Sequence, residues 1–137
     1  LIHEKKDGKL FIASNSGLVV FNTDFQSEAQ IRYHFYGQGK IQSGLITKGD
    51  IQHICHTSNR KTYLSTCGGG INFVKEYTQE GSQKTFGFIT REDGLGSNYI
   101  LSITEDRNHN LWIVSESNIT HYDPLQNSFD VFSLQIE

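Results

Sequence analysis

Asp7-Gly8-Lys9-Leu10-Phe11-Ile12-Ala13-Ser14, Asn59-Arg60-Lys61-Thr62-Tyr63-Leu64-Ser65-Thr66 and Asn108-His109-Asn110-Leu111-Trp112-Ile113-Val114-Ser115 are three versions of one phrase. Each is a polar turn followed by a short run that carries an aromatic residue. The aromatic residues Phe11, Tyr63 and Trp112 recur after 52 and 49 residues. A period of about 40 to 50 residues, with several short strands in each repeat, is the signature of a β-propeller blade. Three blades do not close a propeller, which needs about 4 to 8. The repeat therefore predicts an all-β chain that is a fragment of a β-propeller, about three four-stranded antiparallel blades.

Working outward from each phrase gives the strands. In the third repeat, Asn98 to Asp106 alternates and is rich in β-branched residues, as strand a. Leu111 to Ser115 is strand b and Ile119 to Asp123 is strand c. Pro124, which cannot donate to a ladder, ends strand c. Ser128 to Phe132 is strand d. The second repeat reads Ile51 to His56, Thr62 to Thr66, Ile71 to Tyr77 and Thr85 to Thr90, with Gly68-Gly69-Gly70 as the turn between b and c. These glycines lead into a strand rather than a helix, so they form a turn and not a phosphate cradle. The first repeat reads Leu1 to Glu4, a clipped strand a, then Leu10 to Ser14, Leu18 to Phe21 and Ile31 to Tyr36. The blades are thus expected at about 1–40, 50–91 and 98–134 of one partial propeller.

Composition narrows the function. The chain has 137 residues, 36% hydrophobic and 20% charged, a balance that supports a packed core. Twelve basic residues against 15 acidic ones give a net charge of −3 and no basic stripe, so no nucleic-acid partner is expected. The longest apolar runs, Leu10 to Ala13 and Leu18 to Phe21, are far shorter than the roughly 20 residues of a membrane-spanning helix. No direct membrane contact is expected. The chain has no Met and no signal peptide, so Leu1 reads as an internal residue of a longer protein. Cys55 and Cys67 fall on neighbouring strands about three residues out of register, too far for a disulfide, and are expected as small core or half-buried thiols.

The run Phe88-Ile89-Thr90-Arg91-Glu92-Asp93-Gly94-Leu95-Gly96-Ser97-Asn98-Tyr99-Ile100-Leu101-Ser102-Ile103-Thr104-Glu105-Asp106, followed by Leu111-Trp112-Ile113, resembles the two-component regulator propeller repeat. The second repeat resembles it more weakly through Ile51 to Ile54 and Tyr63 to Asn72, and the first through Asp7 to Ala13 and Gly17-Leu18. The sequence departs from the family where Phe11 and Tyr63 replace a common Trp, and where Glu116-Ser117-Asn118 lacks a usual Gly. The resemblance implies the extracytoplasmic sensor region of a Bacteroides-type hybrid two-component protein, whose histidine kinase and DNA-binding output lie in other modules. It further implies a periplasmic, non-catalytic segment that senses a ligand, typically an oligosaccharide. The alternatives are a carbohydrate-active propeller enzyme, a lyase or hydrolase, and a plain protein-interaction scaffold.

The residues themselves offer little chemistry. Asp106-Arg107-Asn108-His109-Asn110 begins like a calcium loop, but Leu111 stands where Gly is needed and Ser117 where Glu is needed. A hairpin turn is the better reading. His53 and His56 are three apart, a spacing that joins them on a helix and not on a strand. No metal and no cofactor is expected. The acid pairs Glu92/Asp93 and Glu105/Asp106 could serve as a glycosidase pair only if they met across the fold, and read better as solvated loop charges. Phe11, Tyr63 and Trp112 read as core between blades, with Trp112 expected to be mostly buried.

Propeller topology gathers the d-to-a connections and the b–c turns at one end. Those segments are Tyr36 to Asp50, Arg91 to Asn98, Asn15 to Gly17, Cys67 to Gly70 and Glu116 to Asn118. Loops on a rigid scaffold commonly carry recognition. Arg91, Asp93, Asn98, Tyr99 and Glu116 are the ligand-binding candidates there, and no catalytic residue is assigned. The two end blades should present apolar flanks, to be covered by further blades or by a second copy of the chain.

Overall fold

The computed structural model describes residues 2–6, 8–37, 46–47, 50–77 and 84–134. Residues 38–45 and 48–49 of the expected connection from Tyr36 to Asp50 lie outside the described residues, as do Leu1 and Asp7. The described chain folds as three four-stranded antiparallel sheets. Blade 1 is β1 (Ile2–Lys6), β2 (Lys9–Ala13), β3 (Gly17–Asn22) and β4 (Tyr33–Gly37). Blade 2 is β5 (Ile51–His56), β6 (Thr62–Thr66), β7 (Ile71–Tyr77) and β8 (Lys84–Ile89). Blade 3 is β9 (Ile100–Glu105), β10 (Leu111–Ser115), β11 (Asn118–Asp123) and β12 (Ser128–Ser133). Each sheet runs in sequence order, so strands consecutive in the chain are neighbours in the sheet; β3 and β4 are joined by residues 23–32, which include a 3-10 turn, Glu28–Gln30. The first strand is fuller than the sequence suggested: β1 pairs with β2 from Ile2↔Ala13 to Lys6↔Lys9.

Local chemistry sets the turns. In blades 2 and 3 the a–b turns are the same structure. Thr57 N–H donates to the Lys61 carbonyl as Asp106 N–H does to the Asn110 carbonyl, with Arg60 and His109 both in the left-handed region at φ 66° and 64°. Asp106 Oδ1 accepts the N–H groups of Asn108 at 2.9 Å and Asn110 at 3.0 Å. This carboxylate shapes the hairpin, as the sequence reading preferred over a calcium loop. The b–c turns also repeat. Ser14 follows strand b of blade 1, Thr66 and Ser115 end it in blades 2 and 3, and each hydroxyl reaches the carbonyl of the residue that opens or precedes strand c: Gly17 at 3.2 Å, Gly70 at 2.7 Å and Asn118 at 3.1 Å.

Two apolar layers hold the blades together. The first joins Phe11, Leu18, Val20 and Tyr36 of blade 1 to Ile54, Leu64 and Phe86 of blade 2. The second joins Tyr63, Ile71 and Ile89 of blade 2 to Ile103, Leu111, Ile113 and Tyr122 of blade 3, with Leu95 from the connecting loop. Strand alternation produces this arrangement: neighbours Tyr63 and Leu64 point to opposite layers. The first strands of consecutive blades touch, β1 with β5 and β5 with β9. Both β5 and β9 bulge against their partners, at Gln52 and Leu101. Ile103 N–H, just past the second bulge, donates to His53 Nδ1 at 3.2 Å and ties blade 3 to blade 2.

The expectation of a mostly buried Trp112 is overturned. Phe11 is 1% exposed and Tyr63 4%, whereas Trp112 is 38% exposed. The three occupy the same rung, and each faces the blade that follows. Phe11 meets blade 2 and Tyr63 meets blade 3, but none of the described residues covers Trp112. Its ring packs sideways instead, on His121 at 4.4 Å and Phe132 at 6.4 Å between centroids, and its Nε1–H donates to Asp106 Oδ2 at 3.0 Å. At the other flank Tyr33 and Phe35 are exposed beside Val19 and Phe21. Both cysteines are free; Cys55 is buried as expected, but Cys67 is exposed because it lies at the start of the b–c turn.

Candidate functional site

The end that carries the b–c turns and d-to-a loops is one hydrogen-bonded surface. Gly68 and Gly70 of blade 2 both donate their N–H groups to the Asn98 carbonyl at 2.9 Å. Cys67 N–H donates to the Asp50 carbonyl, and Ile51 N–H to that of Ser14. Gly70 must be glycine. Its φ is +74°, and a Cβ there would collide with the Ile89 carbonyl. Beneath the turn, buried Thr47 places its hydroxyl 3.0 Å from the Gly69 carbonyl and 2.9 Å from Asn72 Oδ1. Nothing in the spacing of Thr47 announces this role; it depends on a long-range contact with Asn72.

The loop from Thr90 to Tyr99 joins blades 2 and 3. A 3-10 turn, Arg91–Asp93, starts it, and Asp93 Oδ2 accepts the Thr90 N–H at 2.9 Å. Asn98 Oδ1 accepts the Arg91 N–H at 2.9 Å. Leu95 is buried as a plug, and Gly96 lies against blade 3, its N–H donating to Thr120 Oγ1 at 3.0 Å and its carbonyl accepting from Asn118 Nδ2 at 3.0 Å.

The five candidates therefore divide. Asp93 and Asn98 hold the loop with the side-chain oxygens that would otherwise face a ligand. Arg91 and Glu116 are exposed. Tyr99 is 56% exposed, and its ring flanks the bare backbone of Gly68, where an added Cβ would sit 3.4 Å from it. The Tyr99 backbone also forms a β-bridge with Cys67, which places the residue beside the turn. An exposed aromatic face beside open backbone suits stacking of a flat, partly apolar ligand.

At the opposite end lies a cluster that the sequence reading did not foresee. Glu105, at the end of β9, accepts the Ser58 N–H at 2.9 Å and the Ser58 hydroxyl at 3.0 Å. His109 Nδ1 lies 2.9 Å from Ser58 Oγ and 3.2 Å from Glu105 Oε2. A serine–histidine–acid relay needs hydroxyl and carboxylate on opposite ring nitrogens. Here both meet Nδ1, so the group clasps two blades and has no relay. Desolvation works against the Glu105 carboxylate, but the hydrogen bonds from Ser58 N–H, His109 and the Ser58 hydroxyl outweigh it and hold the carboxyl below its usual range. Asp106 is likewise held low: desolvation is outweighed by the Asn110 and Asn108 N–H groups, Trp112 and His121. Among the described residues no three His, Cys, Asp or Glu side chains gather as a metal would require. No helix among them is long and apolar enough to cross a membrane.

The repeat and the loop geometry define a class. Residues 94–117, which take in the second half of the loop, β9 and β10, match the two component regulator propeller family. The fold as a whole is similar to extracellular domains from B. thetaiotaomicron. One is that of BT3049, assigned to a hybrid two component system, with a TM-score of 0.67 and 19% identity over 96% of this chain and 17% of that one. Another is that of BT4673, assigned to a one component system, with a TM-score of 0.65 and 17% identity over 98% of this chain and 18% of that one. A second structure of the BT4673 domain, there assigned to a hybrid two component system, gives a TM-score of 0.67 at 16% identity. The chain thus spans less than a fifth of the length of these structures. No curated protein sequence matches it.

Proposed function

We propose that this chain is a non-catalytic, ligand-sensing segment of the extracytoplasmic, periplasmic region of a hybrid two-component sensor, with kinase activity in other modules. Its ligand is an oligosaccharide. The observation that carries this reading is the Thr90–Tyr99 loop, whose second half, from Gly94 on, falls within the family match. It is pinned on both sides by Asn98 and Gly96 yet presents Tyr99 and Arg91 outward. Three of the four acids considered for a glycosidase are engaged in the fold, Asp93 in the loop, Glu105 in the clasp and Asp106 in a turn, which leaves the exposed Glu92 without an acid partner from those pairs. The exposed faces of blades 1 and 3 are covered by further blades of the parent protein or by a second copy of the chain.

Titration of the intact protein with a panel of oligosaccharides tests this reading. Saturable binding without turnover, weakened about tenfold or more by Tyr99→Ala through loss of stacking, is the expected result. Hydrolysis or elimination of the saccharide, abolished by Glu92→Gln or Asp93→Asn, would establish an enzyme instead.

A further inference from the structure

Between blades 2 and 3, on the side of the a–b turns, a cleft of about 300 Å³ opens. Three rings line it: Tyr63 from β6, Phe73 from β7 and Tyr122 from β11. Val74 and Ile89 extend the apolar lining. Tyr63 is only 4% exposed, and among the described residues its hydroxyl meets no hydrogen-bond partner. Tyr122 differs, since its hydroxyl donates to Asn127 Oδ1 at 3.2 Å. A buried hydroxyl without a partner is costly to a folded chain, so the Tyr63 hydroxyl marks a place where a bound group can supply what the fold does not.

The walls are held firmly. Tyr63 and Phe73 pair across β6 and β7, with ring centroids 6.3 Å apart. Phe73 lies against the bare backbone of Gly87, where any Cβ would overlap its ring. Tyr122 stacks on Phe129 at 4.5 Å. The three rings are thus set in place before any ligand arrives. Tyr63 keeps its proton, because burial first and the nearby Tyr122 next push its phenol up to about 12, so at neutral pH it is a donor.

We infer that this cleft is a binding site for one neutral pyranose ring of a saccharide, its C–H face on the aromatic walls and one of its hydroxyls accepting from Tyr63 Oη–H. The volume lies at the small end of ligand sites and suits one or two sugar rings. A purely aromatic ligand would cover the walls and leave the Tyr63 donor unmet. A bare inorganic anion would accept that hydrogen bond and leave the walls wet. A pyranose does both, because each of its hydroxyls accepts as well as donates. A neutral ring asks no counter-charge of the side chains at the mouth. The inference rests on the oligosaccharide-sensing reading but places a sugar at the opposite end of the blade 2–blade 3 seam from Tyr99.

Titration of the intact protein with methyl glucoside, methyl galactoside and methyl mannoside, with indole and sodium sulfate as controls, followed by calorimetry and amide chemical shifts, tests it. At least one glycoside should saturate and shift the amides of Tyr63, Phe73 and Tyr122, with little change as salt is added. Indole and sulfate should bind about tenfold more weakly or not at all. Tyr63→Phe keeps the ring and removes the donor. It should weaken the glycoside about threefold to tenfold, while the melting temperature of the free protein holds or rises, because the lost hydroxyl had no partner there. Tyr99→Ala should leave the glycoside shifts unchanged. No glycoside reaching saturation, indole or sulfate binding as tightly as the best glycoside, or glycoside binding unchanged in Tyr63→Phe overturns the inference. If oligosaccharides still bind and depend on Tyr99, the sensing reading survives that failure; if no saccharide binds at all, both fall.

Discussion

Glu105 and Ser58 belong to different blades, and the Glu105 carboxylate takes both the N–H and the hydroxyl of Ser58. A single side chain thus closes the end of the blade 2–blade 3 seam opposite the Tyr99 loop. The folded carboxyl lies below its ordinary value of 4.5, so its contribution is complete above that value and disappears as pH falls through the lowered one. Glu105→Gln should flatten the acid limb of the stability–pH curve and cost about 1 kcal/mol or less at neutral pH, as befits a solvent-screened group. Urea melts at pH 3 to 7 measure it; an acid limb identical to that of the parent protein would remove Glu105 as a pH-sensitive link.

Trp112 should behave as a partly open indole. Acrylamide should quench its fluorescence readily in the folded chain. Trp112→Ala should cost about 1 kcal/mol, against about 3 to 5 kcal/mol for Phe11→Ala, whose ring is sealed. Equal costs at the two positions would contradict the difference in their surroundings.

Two glycines with the same φ of +74° should respond differently to alanine. Gly8 faces open space, so Gly8→Ala carries only the left-handed backbone cost of about 1 to 2 kcal/mol. Gly70→Ala adds a collision with the Ile89 carbonyl and should exceed that by about 1 kcal/mol or more. Thermal melts of the two variants compare them directly.

Tyr63 should give the protein an alkaline weakness. Its folded pKa of about 12 exceeds the ordinary value of 10.0, so the folded state holds the proton more tightly than the unfolded chain. Stability from this group is therefore full below about 10 and falls as pH rises towards 12. Tyr63→Phe should remove that part of the slope in melts taken between pH 9 and 12.

The strands were legible because each is short, alternates and ends at a turn with recognisable chemistry. Ile51–His56, Thr62–Thr66, Ile71–Tyr77 and Leu111–Ser115 lie where turn residues and periodicity put them. The burial of Trp112 was not legible, since an aromatic on strand b is core only when another blade covers it. The role of Asp93 could have been read: Thr90-Arg91-Glu92-Asp93 has the spacing of a capping box. The aromatic cleft could not, because Tyr63, Phe73 and Tyr122 come from three strands and two blades and meet only in the fold. The Ser58–Glu105–His109 clasp was hidden for the same reason.

The alternation that sends Tyr63 one way and Leu64 the other gives the array a direction. Blade 3 ends on a face shaped by Trp112 and Phe132, and blade 1 on a different one shaped by Tyr33 and Phe35. A like-to-like contact between two Trp112 faces would leave both Tyr33 faces bare. One kind of junction that covers both must therefore join head to tail, with unlike surfaces meeting. Such junctions close into a ring only when their angles sum to a full turn; a small error in angle makes a growing filament instead.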